Sequence, residues 1–66
     1  MIAICVLTLH LASNYDTLIY KEIQGTIVEM VGDEWVVDFS SVLEKHPEYV
    51  IDKQIKAVNS NNCLLK

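Results

Sequence analysis

The sequence predicts a small, mainly antiparallel, partly open β-barrel with one short helical turn, and three observations carry that prediction. The run Ile2–Leu11 is apolar on both alternating faces and rich in β-branched residues, which favours a strand over a helix. Ile23 to Phe39 alternates on either side of Gly32-Asp33, the pattern of two strands joined by a tight glycine-containing turn. A helix-start signal occurs once, at Ser41-Val42-Leu43-Glu44.

In Ile2–Leu11 one face is expected to meet the core. The other would meet a neighbouring element or a second copy, which makes Ile2, Ile4 and Val6 candidate oligomer-interface residues. Although this segment is apolar, it has no positively charged flank and is too short to span a bilayer, so it is read as a structural strand and not a signal peptide. Ala12 to Asp16 reads as a turn, since Ser13, Asn14 and Asp16 can bond their own backbone. Strand character resumes at Thr17–Tyr20 and continues through Ile23–Val31, with Gly25 marking a bulge or a sharp bend that lets one strand serve two sheets. After the turn, Trp35, Val37 and Phe39 share one face and Asp38 takes the other, so the first three are assigned to the core. Ser41 and Glu44 form a capping box, and His46-Pro47 ends the turn because the residue before proline avoids the helical region. Tyr49–Val58 is expected as one last strand, with Ile51, Ile55 and Ala57 alternating against Asp52, Gln54 and Lys56. The domain thus covers residues 1–58, and the asparagine-rich stretch and Cys63–Lys66 are expected to form a polar tail over 59–66.

Composition narrows the function. Sixty-six residues allow a single domain, near the lower limit for folding alone. At 52% hydrophobic, the chain carries more apolar surface than a core of this size can hold, which points to self-association or a protein partner. All five basic residues are lysines, and nine carboxylates set the net charge at −4. Without a basic surplus or any arginine, direct nucleic-acid binding and docking on anionic membranes are disfavoured. Two cysteines, Cys5 and Cys63, could form at most one disulfide; that is no disulfide framework, and reduced cysteines in a cytoplasmic protein are the preferred reading.

Chemistry-bearing constellations are sparse. Cys5, His10, His46 and Cys63 supply zinc-ligand types without zinc-ligand spacing, so no metal is expected. Ser40, Ser41, His46 and Asp38 lie close in sequence, but the serines suit helix capping better than nucleophilic catalysis. Gly25 and Gly32 begin no phosphate-binding loop. No enzymatic activity and no cofactor are therefore expected. Glu29, Asp33, Glu34 and Asp38 gather on the hairpin: a solvated face, or an acidic patch for docking on a basic protein surface. Among the aromatics, Tyr15 and Tyr20 flank the first loop and are candidate contact residues.

Gln24 to Phe39, a glycine followed by an alternating strand, a turn and a second alternating strand, resembles the core hairpin of the small Src-homology-3-like (SH3-like) barrels, including the KOW and Tudor groups. Such barrels are mostly binding modules with ligands at the first loop, and recognition rather than catalysis is what the resemblance implies. In size and acidity the chain also resembles small accessory proteins that bacteriophages make to bind and redirect host enzymes. The function expected is a protein-binding regulatory module, or alternatively a structural subunit completed by homo-oligomerisation or in a larger assembly.

Overall fold

A computed structural model describes residues 1–66. It contains six strands, β1 (Ile2–Leu11), β2 (Leu18–Val31), β3 (Glu34–Asp38), β4 (Tyr49–Val50), β5 (Ile55–Asn59) and β6 (Cys63–Leu65). One helix, α1 (Ser40–Lys45), follows β3, and a 3-10 turn (Ser60–Asn62) links β5 to β6. All strand pairs are antiparallel, in the order β4-β1-β2-β3-β5, with β6 also paired to β1.

This sheet is rolled into a partly open barrel. Asn59 pairs with Glu34 at the hairpin tip, while Cys63 pairs with Cys5, itself opposite Ile23. The four chain steps from Asn59 to Cys63 reach at most about 14 Å. In a straight β2, however, Val31 would stand about 26 Å from Ile23. β2 must therefore bend and carry its hairpin back over β1. Its fourteen residues agree, since straight they would exceed the longest dimension of the molecule, 35 Å.

Gly25 permits the bend without being the bulge. A Cβ there would lie 2.5 Å from Val37 Cγ1 and 2.7 Å from Phe39 Cδ1, so glycine is needed for close approach. The register shift falls between Ile27 and Glu29, leaving Val28 as the extra residue. The β2–β3 turn is Gly32-Asp33, with φ +59° at Gly32 and at no other residue a positive φ, the requirement of a type II′ hairpin turn.

The interior consists of Ala3, Cys5, Leu7 and Leu9 from β1, Ile23, Val37, Phe39, Leu43, Val58 and Cys63. Trp35 is half-buried against it, on the face shared with Val37 and Phe39.

Five expectations are corrected. Tyr49–Val58 is not one strand: β4 pairs with the end of β1 and β5 pairs with β3, on opposite edges of the sheet. The inward face of β5 is likewise inverted, with Val58 buried while Ile55 and Ala57 face out. No capping box forms, because α1 starts at Ser40, one residue before Ser41, and the Asp38 carboxylate accepts the Ser40 N–H at 2.9 Å. Residues 59–66 are no tail. The Asn59 side chain accepts from the Asn61 N–H, opening the 3-10 turn, and β6 then joins the ladder on β1. Finally, Cys5 and Cys63 are bonded to each other, their Cα atoms 4.0 Å apart. They face each other directly as a buried cross-strand pair, which brings the sulfurs together. With both sulfurs bonded, cysteine usage no longer argues for a reducing compartment. No helix is long and apolar enough to cross a membrane.

Candidate functional site

Strand parity and the bend in β2 divide the outer side of the sheet into two surfaces. On the hairpin half, Ile27 pairs with Val37 and faces in, so Glu29, Val31, Glu34, Val36 and Asp38 face out, with Ile55 and Ala57 of β5 beside them. Glu29, Asp33 and Glu34 are exposed, and Asp38 is half-buried. The sequence-predicted acidic residues are thus brought together, three on one outer face and Asp33 at its tip. Exposed Val28 and Val31 lie among them.

None of these four carboxylates has a cationic partner. The molecule has two ion pairs, His46 with Glu48 at 3.6 Å and Lys56 with Asp52 at 3.5 Å. Lys66 donates to Gln24 at 2.9 Å, and Lys21 sits over the Tyr49 ring at 5.3 Å. Lys45 lies in the last turn of α1, where a cation suits the helix dipole. Asp38 differs from the other three: hydrogen bonds from the Ser40 hydroxyl, and secondarily from its N–H, hold its pKa below the usual 3.8. It is occupied with the start of α1, which leaves Glu29, Asp33 and Glu34 as the available charges. Asp52 is also lowered, chiefly by the charge of Lys56.

On the other half, the outward residues of β1 are Ile2, Ile4, Val6, Thr8 and His10, facing Thr26, Gln24, Glu22, Tyr20 and Leu18 of β2. Leu64 of β6 adjoins Ile4. Tyr20 and Leu64 are each 74% exposed, and Leu18 and Val6 are exposed beside them. The predicted interface residues Ile2, Ile4 and Val6 are therefore brought together, and Leu64 and Leu18 extend the patch. Leu64 escaped sequence reading because it lay in the presumed tail, and Leu18 because a lone leucine at a strand start carries no signal of its own. A shallow cleft of about 370 Å³ opens on this surface between Ile4, Val6, Glu22, Leu64 and the asparagines of the 3-10 turn.

Tyr15 and Tyr20 are not brought into one cage. The Tyr15 ring stacks on His10 with centroids 4.3 Å apart, and its carbonyl lies 2.7 Å from His10 Nδ1. Tyr20 stands on the outer face of β2 without a ring partner.

The chemical groupings do not converge. The contacts of His46 are with Glu48 and Tyr49 and those of Asp38 with Ser40, so no chain joins a serine through a histidine to a carboxylate. No three His, Cys, Asp or Glu side chains are grouped to hold a metal ion. The two outer surfaces expose carboxylates and apolar side chains. Comparison with known protein families, curated proteins and solved structures found no match.

Proposed function

We propose that this chain is a small acidic protein-binding module that regulates or accompanies a larger partner, docking through the outer side of its hairpin half. The observation that carries this reading is a set of exposed carboxylates, Glu29, Asp33 and Glu34, that no lysine neutralises and that surround the exposed apolar residues Val28 and Val31. An apolar centre within a charged rim suits a protein interface. The partner surface is basic, of the kind an enzyme uses to hold nucleic acid, and the module acts there as a phage-type modulator would. Complementary potential steers the encounter and makes it sensitive to salt.

The test is capture from lysate on wild-type bait and on bait carrying Glu29→Gln, Asp33→Asn and Glu34→Gln. Asp38 stays unchanged because it holds the start of α1. One dominant protein bound at low salt, released at high salt and lost on the triple variant is the expected result. Equal capture by both baits would sink the acidic surface.

A second reading, a structural subunit completed by homo-oligomerisation, is favoured by the patch of Ile2, Ile4, Val6, Leu18, Tyr20 and Leu64. Sedimentation velocity decides it: self-association weakened by Val6→Lys with Leu64→Lys supports this reading, and a monomer at all concentrations removes it.

A further inference from the structure

Lys66 shows how the outer face of β1 holds a cation. Its N–H bonds the Ile2 carbonyl at 2.9 Å, which places it beside β1 in line with β6. Its ammonium nevertheless donates to Gln24 of β2 at 2.9 Å, and Gln24 pairs with Ile4. The Lys66 side chain therefore crosses β1 between the outward-facing Ile2 and Ile4, with its apolar stem on the sheet and its charge on a polar group of β2.

Two residues along β2 the same arrangement recurs without its cation. Glu22 pairs with Val6, faces outward like Gln24, and belongs to neither ion pair of the molecule. The cleft of about 370 Å³ lies here. Ile4 and Val6 form its floor, Leu64 and the 3-10 turn wall it on one side, and Glu22 stands on the other. The walls are two strand spacings apart, about 10 Å, which is room for one side chain lying flat. Asn61 and Asn62 line the cleft with carboxamides that bond no other group of the protein.

Cleft and acidic hairpin border one another. Asn59 pairs with Glu34, and the Ser60 N–H bonds the Asp33 carbonyl at 2.7 Å, so the turn that walls the cleft rests on the hairpin tip. A partner that covers Asp33 and Glu34 reaches the cleft as well.

We propose that the cleft is a subsite for one arginine side chain of the partner protein, its stem over Ile4 and Val6 and its guanidinium on Glu22. Guanidinium is favoured over ammonium on two counts. It is planar and weakly hydrated, so it lies readily on an apolar floor that is too open to strip water from an ammonium. Its fork of N–H donors also exceeds what one carboxylate can accept, which leaves donors for the Asn61 and Asn62 carbonyls. The source of the arginine rests on the reading of a basic partner given above; the affinity of the cleft for a guanidinium does not.

The test follows the backbone amide resonances of the full chain, disulfide intact, during titration with n-butylguanidinium. Neutral n-butylurea and n-butylammonium serve as controls, at about 0.15 M salt to screen distant charges. Saturable shifts at Val6, Glu22, Asn61 and Leu64 are expected, with a millimolar dissociation constant, as suits so small a ligand. Glu22→Gln should weaken n-butylguanidinium about fivefold, the upper range for an exposed ion pair, and leave n-butylurea unchanged. The hairpin triple variant should weaken it less than Glu22→Gln does, and n-butylammonium should bind more weakly than the guanidinium. Shifts that do not saturate, or equal loss in the two variants, would reduce the effect to general acidity and overturn the subsite. Equal binding of n-butylammonium would overturn the assignment to arginine. Shifts confined to Glu29–Glu34 would overturn the subsite and leave the hairpin reading standing. Saturable binding in the cleft, with partner capture indifferent to the triple variant, would support the subsite and remove the hairpin reading.

Discussion

At Gly25 an added methyl group would meet the Asp38 carbonyl oxygen at 2.9 Å as well as the Val37 and Phe39 side chains, both of which are fully buried. Because one of the obstacles is backbone, rotamer changes alone cannot clear it. Gly25→Ala is expected to destabilise by about 1–3 kcal/mol, the usual cost of overpacking, as measured by urea denaturation. A variant as stable as wild type would mean that β2 bends elsewhere. Asp38 gives the second residue-level prediction. Its folded pKa lies below its ordinary 3.8, so its contribution to stability is fully present above the unfolded value and is lost as pH falls through the folded one. A carbon-13 NMR titration should place the Asp38 midpoint below 3.8, with the Ser40 amide exchanging faster once the carboxyl is protonated. A midpoint at or above 3.8 would contradict the hydrogen bonding between Asp38 and Ser40. The sequence pointed to Ser41 and Glu44 for this role because the capping box is a strong local pattern. It could not show that the chain leaving β3 already brings a carboxylate to the Ser40 N–H.

Among the elements, β1 and the β2–β3 hairpin were legible because their signal is periodic. Alternation identifies a strand, and a glycine turn identifies its neighbour. The strands after α1 were not, for a specific reason. Ile51 to Lys56 continues an alternating pattern, but alternation says nothing about which edge a segment joins, and Tyr49–Val50 and Ile55–Asn59 join opposite ones. β6 was illegible because its three residues are too few for any periodicity, and the partner that holds it, Cys5, lies 58 positions away. That bond should contribute strongly. A loop of this length corresponds to about 4 kcal/mol of unfolded-state entropy. Reduction, or paired Cys5→Ala and Cys63→Ala, is expected to lower the denaturation midpoint accordingly, and the same loss should appear as faster amide exchange in β6. A change within error would mean that β6 holds to β1 by its ladder alone.

For the whole molecule, the twelve exposed large hydrophobic residues outnumber the ten that form the core. The expectation that the apolar content exceeds what the interior can hold was correct, and composition alone was enough to see it. How that surplus divides into two differently directed patches was not visible, because it follows from the bend in β2. The topology also governs folding. β1 is the first strand and pairs with β2, β4 and β6, so much of the sheet depends on contacts distant in sequence. With the disulfide reduced, refolding followed by Trp35 fluorescence should take milliseconds to seconds; a microsecond phase carrying the full amplitude would contradict this. The Cys5–Cys63 bond has one more consequence, a mechanical one. It makes the chain a covalent ring with two short arms, because everything between the cysteines is bypassed when the ends are pulled. Under tension only the seven residues outside the bond, 1–4 and 64–66, can be drawn out, to a contour of about 25 Å at 3.5 Å per residue. The segment between the two cysteines bears no load, while the ends of β1 and β6 outside the bond are peeled from the sheet. Reduce the bond, and the same pull unravels the whole chain to a contour of about 230 Å.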